Sequence, residues 1–358
     1  MRVGVPPQDV GTAARMSEQL ESPLPPQPVV RPQARPPLAP VEDAPAFAPG
    51  TGPGTASTAP STTPALGRRG GPGALLRGMR PRQWTKNLLV LGAPIASGRV
   101  FEPHVLVGAA VAFAVFCLAA SCVYLVNDVR DLESDRRHPR KCRRAVACGD
   151  LSVRAAVVAA AVLGVGAIGL GFWWATSLGA TIVVYLVVQA AYSLGLKDQP
   201  ALDLAVVASG FLLRAIAGGE GAGLLMSPWF LLVATFGSLF MVAGKRYSEL
   251  RRVGSTGGTR RSLESYSASY LRFIWSMAAG VTVVVYCLWA LRGVGTSASG
   301  PPWGLISLAP FVLALLRYAA DIDRGTAEQP EEVVLADRHL QVIGVAWLVL
   351  VLLQAMAR

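Results

Sequence analysis

Residues 127–135 read Asn-Asp-Val-Arg-Asp-Leu-Glu-Ser-Asp and lie where a long apolar run meets a basic loop. The preceding run, from Pro103 to Val126, contains no Asp, Glu, Lys or Arg. A run of this length can cross a bilayer as an α-helix. The sequence therefore predicts a membrane helix whose exit carries three aspartates.

The spacing within residues 127–135 predicts a metal-binding face. If the helix continues through the segment at about 100° per residue, four polar residues share one face and Glu133 points away from it. Clustered carboxylates repel one another, and Mg²⁺ shared with a diphosphate suits such oxygen ligands. An acidic helix end surrounded by water is the alternative, but ionisable groups at the mouth of a membrane helix favour a functional site. The four residues are Asn127, Asp128, Asp131 and Asp135.

The composition indicates an integral membrane protein. The mean hydropathy is +0.44 although the first part of the chain is polar and rich in proline. The net charge of +11 suggests a nucleic-acid-binding protein. However, the basic residues lie between apolar runs, as membrane topology requires, which argues against nucleic acid as a partner. The five cysteines show no zinc-type spacing and suggest no disulfide framework.

Residues 1–73 contain most of the prolines and a single aromatic residue, Phe47. Such a segment buries too little apolar surface to offset its ordering entropy, so we expect a disordered tail. It has no apolar stretch of the signal-peptide kind. A docking arm is the alternative. The expected organisation is therefore a tail over residues 1–73 and a membrane domain over residues 74–358.

Apolar runs in the remaining chain predict an all-α, polytopic fold with nine spans. The charge-free run 155–196 is too long for one span and is read as a hairpin that turns near residues 173–176. The other spans are expected at about 88–97, 104–129, 201–219, 228–246, 271–291, 303–320 and 339–356.

The distribution of Lys and Arg predicts the orientation. The loops after the second, sixth and eighth spans are basic, whereas the opposite loops carry little beyond Arg99 and Arg292. By the positive-inside rule, the N-terminus and the aspartate segment face the cytosol. We therefore expect a multi-pass protein of the plasma membrane with a cytoplasmic site. A homo-oligomer is compatible with the sequence.

A second polar segment lies between the fourth and fifth spans and contains Tyr192, Lys197 and Asp203. Arg214 follows deep in the fifth span, three turns after Asp203 and on the same helical face. An arginine at this depth is costly unless it faces a polar cavity or a partner. We favour a role in lining a substrate cavity over a structural pair with a carboxylate.

Two further groups of basic residues are candidates for binding phosphate. Lys245 and Arg246 end the sixth span, with Tyr266 in the following loop, and cations so placed suit a phosphate-rich ligand. Lys86 and Asn87 begin the first span, where catalytic and anchoring roles are equally compatible. For Arg80, Arg82 and Trp84, just before that span, we favour anchoring in the lipid headgroups.

These features resemble the UbiA superfamily of intramembrane transferases. The resemblance runs from about Leu75 to the C-terminus, through nine spans, the Asn-Asp-x-x-Asp-x-x-x-Asp segment and the Tyr/Lys/Asp segment. It implies a central cavity, open to the cytosol and cleft laterally for a lipid tail. Most members bind a prenyl diphosphate through two Asp-rich motifs, the second usually Asp-x-x-x-Asp. Here only Asp198 and Asp203 stand in that region, with different spacing.

That departure, together with residues 80–87, 127–135 and 244–250, is similar to one branch, the decaprenyl-phosphate phosphoribosyltransferases of cell-wall arabinan synthesis. The resemblance implies phosphoribosyl diphosphate as donor and a polyprenyl phosphate as acceptor. Both bring anionic groups that quinone-type members do not handle, and additional cations suit them. The candidate cations are Lys86, Lys197, Arg214 and Lys245.

The resemblance also implies roles for the aspartates. Asp128, Asp131 and Asp135, assisted by Asn127, are expected to hold Mg²⁺ on the donor diphosphate. Asp203 is expected to bind a ribose hydroxyl or a second Mg²⁺. Two alternatives remain open at this point. A prenyltransferase with an aromatic acceptor shares the fold and first motif, and a transporter would use the same charges without turnover.

Overall fold

The computed structural model describes residues 71–196, 199–256, 266–291 and 301–357. All regular secondary structure in these ranges is helical, and the ranges belong to one unit of the chain. The predicted tail up to residue 70 and Lys197 lie outside the described residues, so their expected roles remain predictions.

Eight of the described helices are long and apolar enough to cross a membrane. Four shorter α-helices and two 3₁₀ segments, Pro81–Leu91 and Lys141–Arg143, connect or extend them. The short helices are α1 (Pro72–Met79), α2 (Gly92–Ser97), α4 (Leu132–Arg137) and α12 (Pro330–Ala336), and α10 (Trp303–Ile306) leads directly into α11 (Leu308–Arg324) to form one span. The other seven spans are α3 (Pro103–Arg130), α5 (Val153–Trp174), α6 (Thr176–Leu194), α7 (Leu202–Gly221), α8 (Pro228–Thr256), α9 (Ala268–Leu291) and α13 (Arg338–Met356).

Local signals in the sequence explain where several helices begin and end. Ser152 accepts a hydrogen bond from the backbone N–H of Ala155 at 3.2 Å and caps α5. Asp337 caps α13 in the same way, with the N–H of His339 at 2.8 Å. Gly325 ends α11 in the left-handed conformation, which glycine adopts at little cost.

The first of the nine predicted spans, residues 88–97, is not confirmed as a long helix. The chain here forms the end of the Pro81–Leu91 3₁₀ segment followed by the six-residue α2. The segment packs backbone to backbone on α7. A Cβ at Gly218 would lie only 1.8 Å from the carbonyl oxygen of Val90. Only glycine at position 218 permits this approach.

The helix through the aspartate segment is interrupted, contrary to the assumption of one continuous face. α3 ends at Arg130, and Asp131 has φ −88° and ψ 8°, outside the helical region, before α4 begins at Leu132. The backbone N–H of Asp131 still bonds the carbonyl of Asn127 at 2.9 Å. The direction of each carboxylate therefore depends on its partners in the fold and not on helical phase alone.

Three apolar clusters hold the described helices together. One joins α7, α8, α9 and α11 around Leu204 and Ile322, and a second joins α3, α5, α6 and α7 around Phe116. The third packs Leu125 of α3 against Ala74 of α1, against the loop before α5 and against α5 itself. This third cluster lies directly below the aspartate segment and fixes the elements around it.

Candidate active site

Asp128 and Asp135 form the centre of the first polar cluster. Their side chains are only 2% and 1% exposed. A single nitrogen, Nη1 of Arg144, lies 3.3 Å from Oδ1 of Asp128 and 2.5 Å from Oδ2 of Asp135. The two carboxylates are therefore close enough for one cation to contact both, and we call this pair the metal face.

Arg80 is the second cation at the metal face. Its guanidinium contacts Oδ1 of Asp128 and lies 5.3 Å from the ring centre of Tyr124. Its backbone is left-handed, with φ 55° and ψ 63°, immediately before Pro81. Such a conformation costs about 1–3 kcal/mol in a non-glycine residue and persists where the surrounding structure imposes it. The interpretation of Arg80 as a headgroup anchor is therefore wrong.

One buried oxygen of the metal face has no hydrogen-bond partner. It is Oδ1 of Asp135, which has only Nζ of Lys141 nearby, at 3.9 Å. A buried carboxylate oxygen left in this way can accept a cation. In the described ranges no three His, Cys, Asp or Glu residues are grouped closely enough to hold a metal alone. Two carboxylates nevertheless suit Mg²⁺, which commonly completes its shell with substrate phosphates and water.

The other acidic residues of the segment lie differently. Asp131 is half-buried at the break between α3 and α4. Glu133 is 73% exposed and pairs with Arg136 at 3.2 Å. The expected separation of Glu133 from the metal face is therefore present in the structure, although a broken helix produces it.

Asp203 is the centre of the second polar cluster. It is 1% exposed and receives two hydrogen bonds from Arg246, from Nη2 at 2.9 Å and from Nε at 3.0 Å. The hydroxyls of Tyr192 and Tyr266 donate to the same carboxylate at 2.8 Å and 3.2 Å. Both oxygens are thus occupied by protein donors. Arg246 also contacts Glu249 at 2.9 Å.

The electrostatics of this second cluster favour a protonated Tyr266. Burial raises the pKa of the Tyr266 phenol well above its ordinary value, and the charge of Asp203 raises the pKa further. The hydroxyl therefore keeps its proton at neutral pH and remains a hydrogen-bond donor to Asp203.

Ala201, immediately before α7, has an unusual backbone conformation with φ 65° and ψ −47°. We expect Ala201→Gly to raise the free energy of unfolding by about 1 kcal/mol, because glycine adopts positive φ without strain. Thermal unfolding in detergent measures the change. Ala205→Gly, in the regular part of α7, is the matched control and should lower stability by about the same amount. A lower unfolding midpoint for Ala201→Gly contradicts the strain argument.

Ser193 connects the two clusters. Its hydroxyl donates to Oδ1 of Asn127 at 2.8 Å, joining the end of α6 to the end of α3. Asn127 precedes Asp128, and Ser193 follows Tyr192. The metal face and the Asp203 cluster therefore lie at the same end of α3, α6, α7 and α8.

Arg214 lies deeper in α7 and is 6% exposed. Its Nε donates to Oδ1 of Asn87 at 2.8 Å, its Nη1 to the carbonyl of Gly210 at 2.6 Å, and its Nη2 to the hydroxyl of Tyr185 at 3.3 Å. The ring of Phe116 lies 5.3 Å from the guanidinium carbon. Within the described part of the chain, the hydrogen-bond partners of this buried cation are therefore neutral.

Lys86 and Lys245 are the remaining predicted residues in the described ranges. Lys86 is half-buried beside Asn87, and Nζ of Lys245 lies 3.9 Å from Oε1 of Glu249. Arg214 and Asp203 share a helix, but Asp203 pairs with Arg246 instead. The structure thus collects the predicted residues into the metal face, the Asp203 cluster and the deeper Arg214 group.

Sequence reasoning did not select Lys141, Arg144 or Ser193, and it assigned Arg80 to the lipid headgroups. Arg144 belongs to a basic loop that positive-inside topology explains on its own. The signal that distinguishes it is the apolar sequence that follows, since residues 145–147 are buried, as is Leu151. A fully solvated loop does not contain such a run.

Comparison with known proteins is consistent with this geometry. A model described as the UbiA prenyltransferase family matches residues 88–352. A decaprenyl-phosphate phosphoribosyltransferase from Mycolicibacterium smegmatis is 48% identical over 285 residues, covering 76% of this chain and 90% of that protein. The protein of the same name from Mycobacterium tuberculosis is 49% identical over 280 residues, covering 76% and 91%.

Solved structures share the fold at low sequence identity. A UbiA homologue from Archaeoglobus fulgidus bound to DMAPP and Mg²⁺ superposes with a TM-score of 0.59 at 14% identity, covering 79% of this chain and 98% of that one. The same homologue bound to GPP and Mg²⁺ gives 0.57 at 16% identity, covering 79% and 98%.

Proposed function

The chain belongs to the UbiA prenyltransferase family, and from that premise we propose that it transfers 5-phosphoribosyl from phosphoribosyl diphosphate to a polyprenyl phosphate, with release of pyrophosphate. The observation that carries the proposal is the identity of 48–49% to decaprenyl-phosphate phosphoribosyltransferases over most of their length. The substrates in this proposal come from the names of those relatives. The expected role is the supply of a lipid-linked pentose for cell-wall arabinan.

The metal face provides the donor site. Asp128 and Asp135 would hold Mg²⁺ on the donor diphosphate, with Asn127 beside them and Asp131 as a further candidate ligand. Mg²⁺ bound there neutralises the charge that develops on the leaving diphosphate. The unpartnered oxygen of Asp135 supports this assignment.

The reaction exchanges one C1–oxygen bond of the ribose for another. The bond between C1 and the diphosphate breaks, and an oxygen of the lipid phosphate forms the new bond from the opposite face. The acceptor is already anionic, so the site needs no strong general base. Protein cations near the metal face stabilise the charge that passes to the pyrophosphate.

The Asp203 cluster shapes the cavity beside the donor. Asp203 orients Arg246, Tyr192 and Tyr266 through the hydrogen bonds described above. Arg246 and the two tyrosines then face the donor ribose and its 5-phosphate. A direct contact between Asp203 and a ribose hydroxyl, or a second Mg²⁺, requires one of these protein donors to move away first.

Residues 81–97, which we call the entry segment, complete a nine-span topology in this proposal. Its eleven residues of 3₁₀ helix and six of α-helix extend about 30 Å in total, close to the hydrocarbon thickness of a bilayer. The apolar part, residues 88–97, contributes about 17 Å of this length. The N-terminus, the metal face and the mouth of the central cavity are then cytosolic, at the plasma membrane.

The direct test is incubation of the purified protein with phosphoribosyl diphosphate, Mg²⁺ and polyprenyl phosphate. The expected result is an acid-labile phosphoribosyl lipid formed in equal amount with pyrophosphate. Consumption of a prenyl diphosphate with an aromatic acceptor would select the prenyltransferase alternative. Binding of the phosphosugar without release of pyrophosphate would select the transporter.

Lys86→Met and Lys245→Met are expected to raise the KM for the donor or the lipid phosphate by about ten- to a hundred-fold, because each removes a charge-assisted phosphate contact. Steady-state kinetics with each substrate varied in turn measures the effect. Arg251→Gln is the control, since Arg251 is exposed at the end of α8 and water and salt screen its charge. Equal KM values for all three variants would assign both lysines to topology alone.

A further inference from the structure

Protein cations occupy the metal face in this structure. Arg144 bridges Asp128 and Asp135 through one nitrogen, and Arg80 contacts the same oxygen of Asp128 as Arg144 does. Lys141 lies 3.9 Å from the second oxygen of Asp135. The two buried carboxylates are therefore paired with protein cations.

Packing holds both arginines in these positions. Arg80 follows α1, whose Ala74 belongs to the third apolar cluster, and Arg144 precedes Val146 of the same cluster. A salt bridge of 2.6 Å between Arg77 and Asp150 joins α1 to the loop. The left-handed backbone of Arg80 also indicates that the fold imposes its position. These cations are thus part of a built site and not of a solvated loop.

The charge balance determines what can enter the metal face. A free divalent cation that contacts both carboxylates must displace at least one guanidinium, leaving that guanidinium without its carboxylate and adding positive charge to carboxylates that are already paired. A divalent cation that arrives with a diphosphate brings its own anionic oxygens. The displaced guanidinium can then bind these oxygens bidentately, as arginine readily does with phosphate.

We propose that Arg144 and Arg80 are positioning residues that occupy the metal face in the resting protein, exclude free divalent cation, and make metal and donor diphosphate load together. The inference rests on the metal face assigned in the proposed function. It adds a binding order and gives two arginines a role that the sequence did not suggest.

The test measures binding of Mn²⁺, by the paramagnetic resonance of the free ion, to the full chain in detergent. A protein-free titration of Mn²⁺ with pyrophosphate corrects for the Mn²⁺ that pyrophosphate binds on its own. Wild-type protein should bind Mn²⁺ at least about ten-fold more tightly with pyrophosphate than without, since a charge-assisted contact is then regained. Arg144→Gln should bind free Mn²⁺ about ten-fold more tightly than wild type and lose most of the gain from pyrophosphate. Arg80→Gln should change in the same direction.

Two control variants separate local displacement from general charge. Arg144→Lys keeps a cation beside the carboxylates and should retain weak binding of free Mn²⁺. Arg136→Gln removes one charge from the same region, but Arg136 pairs with the exposed Glu133, so Mn²⁺ binding should match wild type. Unfolding midpoints show which variants are folded. If Arg144→Gln does not fold, Arg80→Gln is the variant that tests the inference.

Three outcomes overturn the inference. They are tight binding of free Mn²⁺ to wild type without pyrophosphate, no gain of affinity for free Mn²⁺ in the folded arginine variants, and an equal gain in Arg136→Gln. If wild type binds no Mn²⁺ under any condition, neither alone nor with pyrophosphate or phosphoribosyl diphosphate, that outcome contradicts the metal face of the proposed function as well. If Mn²⁺ and pyrophosphate bind cooperatively to wild type and equally well to the arginine variants, the inference is contradicted but the proposed function is not.

Discussion

Asp128→Asn and Asp135→Asn are each expected to lower kcat by more than about a hundred-fold, because even the outer partners of metal ligands typically contribute ten- to a hundred-fold. Both carboxylates lie on the buried metal face, and an amide gives the metal a weaker ligand without the charge. Steady-state turnover with phosphoribosyl diphosphate and polyprenyl phosphate at saturating Mg²⁺ measures the loss. If turnover of the variant returns when Mg²⁺ is raised above the concentration that saturates the wild type, the defect lies in metal affinity.

Glu133→Gln is the control for this prediction. Glu133 carries the same charge in the same segment, but it is exposed and pairs with Arg136. Its turnover should stay within about two-fold of wild type, as surface pairs contribute little. Equal losses at Glu133 and Asp128 would contradict the metal face. The same assay on Asp131→Asn tests the third predicted ligand, which lies half-buried at the helix break.

Arg246→Met is expected to lower the free energy of unfolding by about 3–5 kcal/mol, because removing one partner of a buried pair leaves the other charge uncompensated. Among the described residues, Asp203 then keeps the two tyrosine hydroxyls as its side-chain donors, in a nearly inaccessible position. The shift of the thermal unfolding midpoint in detergent measures the effect.

Lys245→Met is the matched control for stability, since Lys245 precedes Arg246, is half-buried and lies 3.9 Å from its partner Glu249. Its unfolding midpoint should change little. Adding Asp203→Asn to Arg246→Met removes the uncompensated charge and should recover part of the stability. An unchanged midpoint for Arg246→Met contradicts the buried-pair argument. So does a double variant whose loss of stability equals the sum of the losses in the two single variants.

The helical spans could be predicted from the sequence because lipid imposes a simple condition. A chain that crosses hydrocarbon must satisfy its backbone hydrogen bonds internally and present apolar side chains, so long charge-free runs become helices. The turn expected near residues 173–176 lies between α5 and α6, which end and begin at Trp174 and Thr176. The structure of residues 88–97 could not be predicted in this way, because backbone contact with Gly218 and not apolar length holds this segment in place.

The site was only partly accessible to sequence reasoning. The aspartates are recognisable because their spacing is local, but their partners are not. Arg80 precedes Asp128 by 48 residues, and Asp203 meets Arg246 across 43 residues. Helical periodicity carries no information about such pairs. Positive-inside topology also explains every basic residue in the loop, so it hides Arg144, which contacts the carboxylates, among others that face water.

The contact between the entry segment and α7 has a consequence for biosynthesis. Asn87 and Arg214, which join the two elements, are 127 residues apart. At typical synthesis rates the ribosome takes on the order of ten seconds to add that length. Throughout this interval the entry segment can pack on α3, through the Trp84–Ser121 and Asn87–Cys117 hydrogen bonds, but not on α7. Its packing is therefore completed only after α7 has been synthesised.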